Sequence, residues 1–329
     1  MTIARTLMPL LLLAAAPLLA QEAGGAAHSE NVPPPPTAEM REEMAERQVE
    51  LDAIPDGVGS SPYPAIKEVA RNLPDHTVYR PADLARIKPG SLGIVGWGNG
   101  GCYTDGASAR LHLAELASHG YVVVAPGRIV TGPGQPARTP DDFGKISFST
   151  TGDIMTGIEW ALAENEREGS PLQGLIDPRK VAVAGHSCGG VQAIYLGRDP
   201  RVAAVIVHNS GMFPAGGPMM ANMHMSKEWL THLRTPVLYI LGGPTDIAYP
   251  NGMDDFAKID HVPVAVLNSD KGHEGSFWET NGGGAAQAAV DWLEWQLRGD
   301  KQAAAKFTGK DCGYCSDPNW SYEAKRLKP

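Results

Sequence analysis

The run Lys180-Val181-Ala182-Val183-Ala184 leads directly into Gly185-His186-Ser187-Cys188-Gly189-Gly190, and helix-forming residues follow from Val191 to Leu196. Strand, tight turn and helix in that order constrain this chain more than any other feature. A serine at the centre of a G-x-S-x-G turn must take strained backbone angles, and only flanking glycines let neighbouring chain pass so close. The turn lifts the Ser187 hydroxyl above a sheet edge. The first turn of the following helix offers free N–H groups and positive dipole to a developing oxyanion.

The strand-like segments His76 to Arg80, Leu92 to Trp97, Tyr121 to Ala125, Val181 to Gly185, Val202 to His208, Pro236 to Leu241 and Val262 to Leu267 are mostly continuous apolar runs. Continuous runs mark strands covered on both faces, as in a largely parallel sheet. Helical spacing lies between them: Leu111, Leu113 and Leu116; Ile154, Ile158, Trp160 and Leu162; and Val290, Leu293 and Leu297 within about Ala285 to Arg298. This alternation predicts a doubly wound, mostly parallel α/β sheet in one domain over 61–300, long enough for one large core. The segment from Ser210 to Thr235 is too short for a large cap domain.

The ends read differently. Met1 to Ala20 has one early charge at Arg5, an apolar centre from Leu7 to Leu19 broken by Pro9 and Pro17, and a small residue at Ala20. That is the pattern of a secretory signal peptide and predicts a secreted or periplasmic protein. Residues 21–60, with Pro33 to Pro36 and charges from Glu39 to Glu50, read as a Pro-rich linker holding one short exposed helix. The net charge of -9 comes with no basic block, which argues against nucleic-acid and anionic-membrane partners. Four cysteines in an exported chain are most simply two disulfides. Cys312 and Cys315, in a C-terminal tail over 301–329, are read as a local bridge. Redox or zinc use of this pair is the rival reading, although further zinc ligands cannot be placed.

In a sheet of this kind, serine, acid and histidine are expected in that chain order, each after a later strand. Asp246, directly after Val237 to Leu241, is the candidate acid, with Asp254, Asp255 and Asp270 as alternatives. His273, after Val262 to Leu267, is the candidate base; His208, His224, His232 and His261 come too early. The chemistry is acyl transfer. His273 takes the Ser187 proton during attack and returns it to the leaving group, while Asp246 holds the imidazole tautomer. The oxyanion requires two N–H donors. One is that of Cys188; the other belongs to the glycine-rich stretch Gly96 to Gly101, at Asn99, with Trp97 and Gly98 as alternatives. If elbow and oxyanion stretch converge, Cys102 and Cys188 can bridge and clamp both donors.

Trp97, Met212, Phe213, Tyr249, Phe277 and Trp278 lie near these loops and are candidate substrate contacts or packing residues. The Gly-, Pro- and Thr-rich segment from Pro126 to Phe148 is a candidate cleft wall. The methionines from Met212 to Met225 suit either an adaptable pocket or ordinary core.

Together, Ile94 to Gly101, Leu116 to Val123, the elbow Gly185 to Gly190, Thr245-Asp246 and Gly272-His273 resemble the α/β-hydrolase family. Within it they are similar to dienelactone-hydrolase-like and bacterial cutinase or polyester-hydrolase relatives, over roughly residues 75 to 300. The resemblance implies a serine esterase without metal or other cofactor, acting on a small-molecule or polymeric carboxylic ester. Two features depart from the cutinase-like pattern, Gly98-Asn99 and Ser210 to Phe213, so polyester activity is not carried over. Ser187 at the elbow centre excludes a thiol nucleophile there. Amide hydrolysis and acyl transfer use the same machinery, and a catalytically inactive binding protein of this fold is the reading from another class. A disulfide oxidoreductase built on Cys312 and Cys315 is a third. Oligomeric state is not legible.

Overall fold

Thr37 caps the first helix of the computed structural model, α1 (Ala38–Ala53), by accepting a hydrogen bond from the Met40 N–H. The structure describes residues 36–145, 147–214, 219–220, 223–224 and 226–328. The expected signal peptide and the Pro33 to Pro35 part of the proline run lie outside them. In chain order there follow β1 (Ala65–Glu68), β2 (His76–Pro81), β3 (Leu92–Gly98), α2 (Arg110–Ser118), β4 (Tyr121–Pro126), α3 (Thr151–Glu166), β5 (Ile176–His186) and α4 (Cys188–Leu196). Then come β6 (Ala204–His208), the two-residue strands β7 (Met219–Met220) and β8 (Met223–His224), β9 (Val237–Leu241), α5 (Tyr249–Lys258), β10 (Val264–Asn268) and α6 (Gly283–Arg298). The chain ends with α7 (Lys301–Phe307), α8 (Gly313–Ser316) and β11 (Ser321–Lys325).

Nine strands form one sheet in the order β1-β2-β4-β3-β5-β6-β9-β10-β11. From β4 to β10 every pairing is parallel. The antiparallel pairings lie toward the two ends. Strand alternation divides the core between two faces. On β5, Val181 and Val183 join Ile154, Ile158 and Val191 of α3 and α4 on one face. Ala182 and Ala184 face the other, with Leu113 and Leu116 of α2 and Val290 and Leu293 of α6. The inner strands, including the Val181 to Gly185 end of β5, are thus mostly apolar because both sides are covered.

Three regions differ from the sequence reading. Residues 50–60 are tied to the body of the protein: Arg110, almost wholly buried, donates to the Leu51 carbonyl at 2.8 Å and pairs with Asp56 at 3.0 Å. The Ser60 N–H and hydroxyl bond Glu115. A guanidinium taken out of water requires acceptors, and this stretch supplies them. The C-terminal stretch 301–328 is likewise no tail, because β11 extends the sheet beside β10 and Phe307 packs with Trp292, Trp295 and Tyr314. As an outermost strand β11 is open to water, with Ser321, Glu323 and Ala324 exposed, so Ser321 to Lys325 lacks the apolar run that marks inner strands. The segment from Pro126 to Phe148 borders a separate cavity of about 430 Å³, with Tyr103, Asp105, Arg138 and Lys145.

Among the described residues no helix is long and apolar enough to cross a membrane.

Candidate active site

Between β5 and α4, Ser187 has φ +52° and ψ -119°, a left-handed backbone that a side chain rarely adopts. Its N–H donates to the His208 carbonyl at 3.0 Å, and its own carbonyl accepts from the Ser210 hydroxyl at 2.6 Å. Close approach fixes the neighbouring glycines: a Cβ on Gly185 would collide with the Gly189 backbone, and one on Gly189 with the Gly98 carbonyl. In the first turn of α4, Gly189 donates to the Asn99 carbonyl, and Gly190 and Val191 to that of Ser187. The Cys188 N–H has no acceptor among the described residues.

Two loops at the same edge of the sheet complete the constellation. His273 Nε2 lies 3.0 Å from Ser187 Oγ, and its Nδ1 lies 2.6 Å from Asp246 Oδ1. Asp246 is buried, and all its further contacts are donors: the Ala248 N–H to Oδ1, and Asn209 Nδ2 and the Gly242 N–H to Oδ2. Burial works against its charge, but the bonds from His273, Ala248 and Asn209 outweigh it and hold the carboxyl below its ordinary value. The alternative acids serve elsewhere. Asp255 binds Lys227, the Met212 N–H and the Tyr239 hydroxyl. Asp254 binds Lys227 and Lys258, and Asp270 makes no bond to His273.

The oxyanion stretch arrives beside the elbow, but the Asn99 side chain turns away. Its amide donates to the Tyr103 carbonyl at 2.8 Å and the Pro126 carbonyl at 2.7 Å, so only backbone N–H groups remain for a ligand. Gly101, whose N–H has no acceptor among the described residues, is the residue of this loop that lines the cavity over Ser187. The loop is bonded to the elbow through Cys102 and Cys188, whose Cα atoms lie 5.2 Å apart, and Cys312 is paired with Cys315.

That cavity holds about 120 Å³ and is lined by Ser187, His273, Val191, Phe213, Ile247 and Asn251 among others. Ile247, 79% exposed, stands at its lip. Of the six residues read as substrate contacts, Phe213 alone lines it. Trp97 is buried on the α2/α6 face of the sheet, because odd positions on β3 point there, and Phe277 is buried against the same core. Trp278 lies against that same core, with the Arg110 guanidinium over its ring. Met212 is fully buried and Tyr249 partly so, both against the core on the α3/α4 face.

Sequence reasoning missed Asn209, which has φ +45° and joins Asp246 to the Gly272 carbonyl at 2.9 Å. The only signal was its position at the end of β6, the strand next to the elbow. It also missed a group of imidazoles below the site. Burial pushes His112 down to about 3 and His186 to about 4, and lowers His208 well below the ordinary histidine value, so all three are neutral at pH 7.

Residues 89–310 match the model of the alpha/beta hydrolase family, taken as a whole rather than any narrower group within it. No curated protein matches the chain. The matched span contains Ser187, Asp246, His273, Asn209 and the oxyanion loop.

Proposed function

This chain belongs to the alpha/beta hydrolase family, and from that premise we propose that it is an exported serine hydrolase cleaving carboxylic esters through an acyl-enzyme on Ser187. The single observation that carries the reading is the hydrogen-bonded row Ser187–His273–Asp246 beside the unused N–H of Cys188. Ser187 Oγ attacks the ester carbonyl carbon while His273 Nε2 takes its proton. The oxyanion that forms is held by the N–H of Cys188 and a backbone N–H of the Asn99 to Gly101 loop, with Gly101 closest to the cavity. As the tetrahedral intermediate collapses, the carbon–oxygen bond to the alcohol breaks and His273 returns its proton to that oxygen. Water then attacks the acyl-enzyme by the same route, releasing the acid and restoring the Ser187 hydroxyl. Asp246 keeps the Nδ1–H pointed at itself throughout and stabilises the imidazolium.

Export rests on the leader-like first twenty residues and on two cysteine pairs. The test is labelling by a serine-directed fluorophosphonate, together with turnover of short p-nitrophenyl esters. Wild type is expected to label and turn over, and Ser187→Ala to do neither while keeping its fold. A folded wild type that neither labels nor cleaves any ester across several acyl lengths would sink the proposal. Turnover of anilides at a rate matching the esters would move it to amide hydrolysis.

A further inference from the structure

His186, the residue before the serine, is not part of the relay just described, yet it touches both His273 and the oxyanion loop. Its Nε2 lies 2.8 Å from the main-chain carbonyl of His273. A carbonyl only accepts, so Nε2 carries the proton and donates. The two rings lie 5.2 Å apart, and Phe277 packs edge-on against His186 at 4.8 Å. On its other side the oxyanion loop leans on the same ring: a Cβ on Gly100 would stand 2.7 Å from His186 Nδ1.

From this geometry we infer that His186 is a positioning residue, whose Nε2–H holds the His273 backbone so that its imidazole meets Ser187. The inference rests on the serine-hydrolase reading above. Its physical basis is a closed circuit. Ser187 meets the side chain of His273 at 3.0 Å, while the adjacent His186 meets its main chain at 2.8 Å. The bonds to Ser187 and Asp246 orient the imidazole but do not touch the main chain that carries it. The bond from His186 anchors that main chain to the same tight turn that holds Ser187, so backbone and ring are both tied to the elbow. Residues 269–279 otherwise form a loop without a long element of its own, held by the Gly272 N–H to the Gly242 carbonyl and by Asn209. Burial keeps the His186 ring neutral down to about pH 4, although the bond to the His273 carbonyl works the other way, so the Nε2–H donor persists through the neutral range.

The experiment compares His186→Met with His186→Gln, side chains of similar length of which only glutamine keeps a donor. His186→Met is expected to lower kcat and the fluorophosphonate labelling rate by about 10- to 100-fold with KM nearly unchanged, since small misplacements of a reacting group cost that much. His186→Gln is expected to recover most of the loss. In proton NMR, the low-field resonance of the His273 Nδ1–H should broaden in the Met variant and persist in the Gln variant. Equal activity of the two variants, or loss in both in step with lowered thermal stability, would overturn the inference. If wild type proves inert toward fluorophosphonate and esters, the ester reading fails on its own. The NMR contrast still decides the role of His186, with a sharp resonance in both variants counting against it.

Discussion

Cys188 stands directly after Ser187 and is bonded to Cys102, one residue beyond Gly101, and both Gly101 and Cys188 line the cavity. The bridge joins the two backbone stretches that the proposed mechanism uses as oxyanion donors, and its ends lie 86 residues apart in sequence. Cys102 is itself held: its N–H donates to the Asn99 carbonyl, and its carbonyl accepts from the Ser149 N–H and hydroxyl. A donor pair fixed before substrate arrives pays no reorganisation during the reaction.

Replacing both cysteines by serine should therefore cost activity as well as stability. We expect about 2–4 kcal/mol of lost stability from the freed loop and a fall in kcat of about tenfold or more from the loosened donors. Denaturant unfolding reads the first effect, and ester turnover measured well below the midpoint of the variant reads the second. Peptide mapping without reductant that finds both thiols free would remove the premise.

Asp246→Asn should keep the fold and lower kcat by about 10⁴-fold, because the amide stabilises the wrong imidazole tautomer. Asn209→Leu should act more mildly, since it removes one donor to Asp246 and one to the Gly272 carbonyl while Gly242 and Ala248 still serve the carboxylate. A loss of about tenfold in kcat is expected for a bond worth about 1–3 kcal/mol. Steady-state kinetics on one ester measures both. An Asp246→Asn enzyme as fast as wild type would remove the acid from the mechanism.

The cavity over Ser187 is small and mostly apolar, with Val191 and Phe213 among its lining. Acetyl and butyryl esters should outpace octanoyl esters in kcat/KM. Phe213→Ala should move the optimum to longer chains, each accommodated methylene contributing about 1–3 kcal/mol. An optimum that stays in place in Phe213→Ala would show that the acyl group lies elsewhere.

The buried imidazoles set a pH dependence of stability. His112 and His186 bind protons less readily folded than unfolded, with folded values of about 3 and about 4. Between those values and about 6.5 the unfolded chain holds more protons, so stability rises with pH in this window and is lost as pH falls through it. Each such group contributes about 1.4 kcal/mol per pH unit. Asp255, raised by burial to about 6, works in the opposite sense over the upper part of the window. His112→Phe should flatten the acid side of the stability curve while leaving Asp255 in place, so the difference between variant and wild type isolates the imidazole. Chemical denaturation at intervals between pH 7 and pH 4.5 reads it; parallel curves would contradict the assignment.

The elbow was legible because its requirements are local. A strand, two glycines around a strained serine and a helix all fall within about twenty residues. Asp246 and His273 were legible because a parallel sheet presents the ends of its strands along one edge, so position after a strand stands in for position in space. The contact residues were not. Whether Trp97 points into the cavity or beneath α2 depends on strand phase, and on a strand buried on both faces hydrophobicity carries no phase.

The amino-acid order alone determined the alternation of strands and helices, the turn that raises Ser187, and the sequence in which its partners arrive. Tertiary structure alone decided that Asn99 turns inward, that Asn209 and His186 brace the histidine loop, and that residues 301–328 complete the sheet. The division has one physical cause. Backbone strain and apolar periodicity are written in neighbouring residues, whereas a hydrogen bond across 37, 63 or 87 positions exists only once packing has brought its two ends together.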